Sequence, residues 1–113
     1  MNGPPNTPYE GGVFIVQMDF PVDFPSTPPV VIFRTKIYHP NIGPLGHVSM
    51  PQLLDRPAHS IATLLWNIYG LLVEPFIKGP FLGRERIAKR YISNRASYVA
   101  TARRWTEEHA VDI

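Results

Sequence analysis

No cysteine occurs anywhere in the 113 residues. That absence excludes a disulfide framework, thiolate catalysis and a cysteine-ligated zinc site, and it leaves the redox compartment undetermined. Long hydrophobic runs are missing too. None approaches the roughly 18 residues a membrane-spanning helix needs, and the start, Met1-Asn2-Gly3-Pro4-Pro5, has neither the basic region nor the apolar core of a secretory signal. The expectation is a protein with no membrane contact that works inside the cell, in the cytoplasm and/or nucleus. Gly-rich phosphate loops and internal repeats are also lacking. The four histidines, His39, His47, His59 and His109, show no close metal-ligand spacing, so neither a metal nor a cofactor is expected.

What is present is enough for one core. Apolar residues make up 44% of the chain, and its length suits one domain over residues 1–113 rather than two. Eleven of the thirteen prolines precede residue 58, so the chain divides into a part that cannot be helical, 1–59, and a helical part, 60–113. After the turn-rich opening, the β-branched and aromatic run from Val13 to Phe20 reads as a strand stopped by Pro21. A second turn-rich link leads to the strand Val30 to Arg34, and the two are expected to pair antiparallel. Tyr38 to Pro57 is irregular, with four prolines and two glycines, and any chemistry belongs there.

Ser60 is placed to cap a central, buried helix from Ile61 to Glu74, in which Ile61, Leu64, Leu65, Ile68 and Leu72 recur at helical spacing and Pro75 ends the run. Trp66 and Tyr69 are read as core. A helix from about Arg84 to Tyr91 follows, and Asn94 is placed to cap a last helix with Tyr98, Ala102, Trp105 and His109 along one stripe. The class is α+β. The net charge is only +2, yet Lys78, Arg84, Arg86, Lys89, Arg90, Arg95, Arg103 and Arg104 crowd the C-terminal third. A solvated helix face explains them most simply; a nucleic-acid or acidic-partner surface is the sharper alternative, with little else in the sequence to support it.

Several stretches then fall in register with a known signature. Gly3-Pro4-Pro5-Asn6-Thr7-Pro8-Tyr9-Glu10-Gly11-Gly12, Phe24-Pro25-Ser26-Thr27-Pro28-Pro29 and His39-Pro40-Asn41 resemble ubiquitin-conjugating enzymes in content, order and spacing, and Arg56-Pro57-Ala58 and Arg103-Arg104-Trp105 extend the likeness across the chain. The resemblance implies the UBC-like fold, an antiparallel β-meander followed by a central helix and C-terminal helices. It also implies a role in carrying ubiquitin or a ubiquitin-like protein as a thioester to lysine, with a ubiquitin ligase or another conjugating enzyme as partner. The family cysteine follows the His-Pro-Asn triplet after a short loop, and that place is Ser49. The resemblance gives Asn41 an oxyanion or loop-bracing role, gives His39 and Pro40 loop bracing, and puts ligase-contact positions at Ser26, Pro57 and Ala58.

The departures run one way. An unassisted serine supplies almost no alkoxide at neutral pH and forms at best an ester, so Ser49 is a poor carrier. His47, two residues before it, is conceivable as a general base but has no evident orienting acid nearby. Family acid positions hold Pro51 and Gly79, and Ser26 stands where an aromatic ligase contact is common. The family's N-terminal helix and first strand have no counterpart in this sequence, which leaves Val13 to Phe20 as an apolar sheet edge open to self-association. The expectation is an inactive relative acting as a binding cofactor or decoy. The alternatives are a conjugating enzyme with an engineered cysteine-to-serine exchange that traps an ester, and a basic nucleic-acid or acidic-partner binder.

Overall fold

The computed structural model describes residues 1–24, 26–48, 61–78, 81 and 83–111. Two short strands, β1 (Val16–Asp19) and β2 (Val30–Phe33), pair antiparallel with Val16 opposite Phe33 and Asp19 opposite Val30. Three helices follow: α1 (Ile61–Val73), α2 (Glu85–Ser93) and α3 (Arg95–His109). The order is that of an α+β meander with its helices downstream. Alternation along the strands puts Phe14, Val31 and Phe33 in the core while Ile15 is exposed.

The first strand is shorter than the apolar run from Val13 to Phe20. Val13 leaves β1 because its backbone is taken up elsewhere: its N–H donates to the Ala110 carbonyl at 2.9 Å, and it bridges antiparallel to Asn2. Phe14 exchanges both backbone hydrogen bonds with Met1 at 2.8 Å. The sheet edge is therefore already covered at its N-terminal end by residues 1–3. Gly12 lets the chain pass against α3, since a Cβ there would sit 2.6 Å from the Thr106 side chain.

Leu64, Ile68, Leu71 and Leu72 form the buried face of α1. With about 100° per residue, Trp66 points nearly opposite to them, and it is 71% exposed. The expectation that Trp66 and Tyr69 lie in the core is thus corrected: their rings stack on each other, 5.3 Å apart and parallel within 1°, on a face that also leaves Ile61 exposed. The proposed cap Ser60 lies outside the described residues. Arg84 is the residue before α2 rather than its first turn.

Asn94 ends α2 and caps α3, its side-chain oxygen accepting from the Ser97 N–H at 3.2 Å. Ile87 and Ala88 of α2 and Tyr98 and Ala102 of α3 are buried, and Tyr91 meets Tyr98 edge-on at 4.9 Å. Each fully buried large side chain contributes on the order of 1.5–3 kcal/mol. The stripe on α3 fades toward its end, where His109 is exposed. No described helix is long and apolar enough to cross a membrane.

Candidate functional site

The segment after β2 is held to the rest of the molecule by its backbone and by several side chains. Between residues 43 and 47 it turns tightly: Gly46 N–H donates to Gly43 at 2.9 Å, and Gly43 N–H to His47 at 2.8 Å. Gly46 has φ of +91°, and a Cβ on it would lie 2.1 Å from the Phe33 carbonyl oxygen. Only glycine fits there. The turn returns the chain to β2, where Phe33 N–H donates to Gly46 and Val48 N–H to Val31. Residues 46–48 thus run along β2 on the side away from β1. Ser49 comes next in the chain and, like Pro57 and Ala58, lies outside the described residues.

His39 is fully buried. Its Nδ1 accepts from the Asn41 backbone N–H at 3.0 Å, so the proton sits on Nε2, which donates to the Leu71 carbonyl at 2.9 Å near the end of α1. Burial keeps this imidazole neutral, bringing its pKa down to about 4; the hydrogen bond to Leu71 opposes the shift and the Arg84 charge adds to it. The ring is a strut between loop and helix. Pro40, beside it, is also fully buried.

Asn41 closes the other side. Its Oδ1 accepts from the Phe76 N–H at 2.7 Å and its Nδ2 donates to the Phe76 carbonyl at 2.8 Å. Asn41 is 0% exposed, and both polar ends of its amide are engaged. The triplet thereby fastens the loop to both the end of α1 and the segment just beyond it.

Other members of the expected set are dispersed. Ser26 is exposed, its N–H donating to the Asp23 carbonyl at 2.8 Å. His47 is exposed, and the partner its general-base reading needs, Ser49, is not among the described residues. Among those residues no group of three or more His, Asp or Glu side chains could hold a metal ion.

Two features went unseen in the sequence. Arg84, counted there with the basic surface, donates through Nε to the Ile42 carbonyl at 2.9 Å and lies 5.8 Å from the centre of the Trp105 ring. Partial burial lowers its pKa. Arg90 donates to the Tyr38 hydroxyl at 2.9 Å, and Arg95 packs over Tyr91 at 3.5 Å. Of the apparent basic patch, Arg84 is therefore used inside the fold, while Arg90 and Arg95 are engaged with tyrosines but stay exposed. The second feature is Tyr9, whose hydroxyl donates to the Tyr38 carbonyl at 2.6 Å and meets the Tyr98 hydroxyl. Burial raises the pKa of both phenols, and the neighbouring Tyr98 hydroxyl raises that of Tyr9 further.

Three comparisons place this arrangement among known proteins. The ubiquitin-conjugating enzyme family model matches residues 1–106. A crystal structure assigned as a ubiquitin-conjugating enzyme from Plasmodium yoelii superposes with a TM-score of 0.89 and 37% identity, over 100% of this chain and 74% of that one. The E2 domain of a Toxoplasma gondii ubiquitin-conjugating enzyme gives 0.84 and 38%, over 98% and 77%.

Proposed function

This chain belongs to the ubiquitin-conjugating enzyme family, and we propose that it serves ubiquitin or ubiquitin-like conjugation as a binding cofactor or decoy rather than as a carrier. One observation carries the proposal: the chain has no cysteine, and the family resemblance puts Ser49 at the acceptor place. A thioester needs a sulfur. A serine alkoxide is both harder to form and a poorer leaving group than a thiolate, so an ester at Ser49 would be a trap rather than an intermediate.

The loop supports the same reading. We assign His39, Pro40 and Asn41 to bracing. Asn41 spends one amide proton on the Phe76 carbonyl, and an amide so engaged has less to offer a developing oxyanion, whose stabilisation needs an acyl group present in any case. The binding role falls to the retained scaffold, including the ligase-contact positions Ser26, Pro57 and Ala58. Weak polar contact at Ser26 suits association with a ligase less well than an aromatic would, which favours ubiquitin or another conjugating enzyme as the partner.

The test is to titrate the chain into a reconstituted reaction containing activating enzyme, a competent conjugating enzyme, a ligase, ATP and ubiquitin. A saturable change in rate, downward for a decoy and upward for a cofactor, is expected. A rate that stays flat to a large molar excess would remove the proposal.

A further inference from the structure

Between the turn at residues 43–46 and the residue that precedes α2 lies a cleft whose charges are all of one sign. It encloses about 390 Å³ and is bordered by Arg34, Lys36, Pro44, Leu45, Arg84 and Trp105 among others, a volume within the roughly 300–1,000 Å³ of small-ligand sites. Arg34, Lys36 and Arg84 are the charged residues among those that line it, and no acid joins them. None of residues 1–32 borders it.

Arg84 is the fixed point of this cleft. Its Nε donates to the Ile42 carbonyl at 2.9 Å and its Nη2 to the Ile37 carbonyl at a long 3.4 Å, which orients the guanidinium without supplying negative charge. The ion pairs among the described residues are Arg104 with Glu108 and His109 with Glu108, neither of them at the cleft. A partly desolvated cation with no counter-ion is costly, and burial accordingly lowers the Arg84 pKa. An anion in the cleft would offset that cost. Lys36 is exposed and has no hydrogen bond or ion pair among the described residues, so its ammonium is available to the same anion. Arg34 donates through Nε to the Gln17 side-chain oxygen at 2.7 Å, a neutral acceptor that leaves its charge unmatched as well.

We propose that this cleft binds the phosphoryl group of a phosphorylated serine or threonine side chain presented by a partner polypeptide. The donors select the anion. A carboxylate is held best by two parallel N–H groups of one guanidinium, and Arg84 has committed Nε and Nη2 to carbonyls. What remains is Nη1 of Arg84 and the ammonium of Lys36, single donors on separate residues, which suit a group with three acceptor oxygens and nearly two negative charges. Trp105 argues against a nucleotide, because a base needs a free aromatic face. Its ring lies under the Arg84 guanidinium at 5.8 Å and makes T-shaped contacts with Tyr38 and His109 at 5.3 and 5.9 Å. At the rim, Pro44 is exposed and Leu45 is 81% exposed, an apolar shelf for the residues flanking the phosphorylated one. The site uses none of the acceptor or ligase-contact positions, so it stands or falls separately from the function proposed above.

The test is an NMR titration of the full chain with a capped glycine–phosphoserine–leucine peptide at about pH 7.5, where the phosphoryl group is close to a dianion. The Lys36 and Gly46 amide signals and the Trp105 indole N–H should shift saturably. The same peptide with serine or glutamate in place of phosphoserine should bind roughly tenfold more weakly or not at all, as loss of a charge-assisted contact implies. Lys36→Gln, at an exposed side chain without partners, should weaken binding roughly tenfold while the far-ultraviolet circular dichroism stays unchanged, and Lys36→Glu should abolish it. Arg104→Gln, on α3 outside the cleft, should leave binding as it was. Three results would overturn the proposal: no saturable shift, an affinity for inorganic phosphate or adenosine monophosphate equal to that for the phosphopeptide, or a loss on Arg104→Gln as large as on Lys36→Gln, which would mean general attraction to the basic surface.

Discussion

Asn41 and Phe76 stand 35 positions apart and bind each other as two backbone strands would, the Asn41 amide accepting at 2.7 Å and donating at 2.8 Å. A side-chain amide that mimics a peptide group in this way ties the loop before Ser49 to the segment after α1, and nothing in that pairing requires a bound acyl group. Asn41→Ala leaves a part-buried N–H and carbonyl of Phe76 without partners, which costs on the order of 1–3 kcal/mol for each group so stranded. Urea unfolding should show a loss of about 2–4 kcal/mol with an unchanged m-value. A loss under about 0.5 kcal/mol would mean that water or another donor replaces the amide.

His39 gives the fold a pH dependence of defined sign. Its imidazole is held at about 4 against an ordinary 6.5, so between those values the unfolded chain binds a proton that the folded chain refuses. Stability therefore falls as pH drops from 6.5 toward 4, by up to about 3 kcal/mol in total. Above the window His39 adds no slope. To isolate this contribution, the measurement is the difference between the native chain and His39→Gln: the variant should be less stable at neutral pH and lose less on acidification. Parallel curves would contradict the buried neutral imidazole.

The Tyr9 and Tyr98 hydroxyls are not equivalent. Tyr9 donates to the Tyr38 carbonyl, which leaves Tyr98 as the donor to Tyr9. Tyr9→Phe removes two hydrogen bonds and strands both a carbonyl and a buried hydroxyl, whereas Tyr98→Phe removes one. The first should cost about 2–3 kcal/mol and the second about 1. A double-mutant cycle should give a coupling of about 1 kcal/mol between them. Equal single losses would reverse the assignment of donors.

The two tryptophans should separate in a quenching experiment. Trp66 is 71% exposed and stacked on Tyr69, while Trp105 is half-buried against Tyr38 and under Arg84. Acrylamide at low protein concentration should quench Trp105→Phe, which retains Trp66, more steeply than Trp66→Phe. Trp66→Ala should also cost less than about 1 kcal/mol of stability, as surface substitutions usually do.

Much of this was legible in the residues. Proline placement divided strands from helices, Asn94 announced the last helix, and the Pro-rich and His-Pro-Asn motifs carried the family. Trp66 was misread because α1 is apolar nearly all round: Ile61, Leu65, Trp66 and Val73 repeat the hydrophobicity of the buried face, so composition cannot say which side is buried. The extent of β1 was overestimated for another reason. Val13 and Phe14 have strand character, but their hydrogen bonds go to Ala110 and Met1, and such distant partners leave no local trace. The struts from His39 and Asn41 end on backbone atoms of Leu71 and Phe76, which any residue supplies, so no side chain there could announce them. Arg84 looked like surface charge because its partners, the Ile42 and Ile37 carbonyls, are equally anonymous.

The central claim is that this chain does not carry its modifier. The most direct measurement incubates it with activating enzyme, ATP and ubiquitin beside Ser49→Cys, then resolves the products with and without reductant and after mild alkali. The native chain should show no adduct under any condition, even while an authentic conjugating enzyme in the same mixture is charged. An alkali-labile adduct on Ser49 that forms and then disappears on addition of free lysine would contradict the account, because it would make the serine a working carrier.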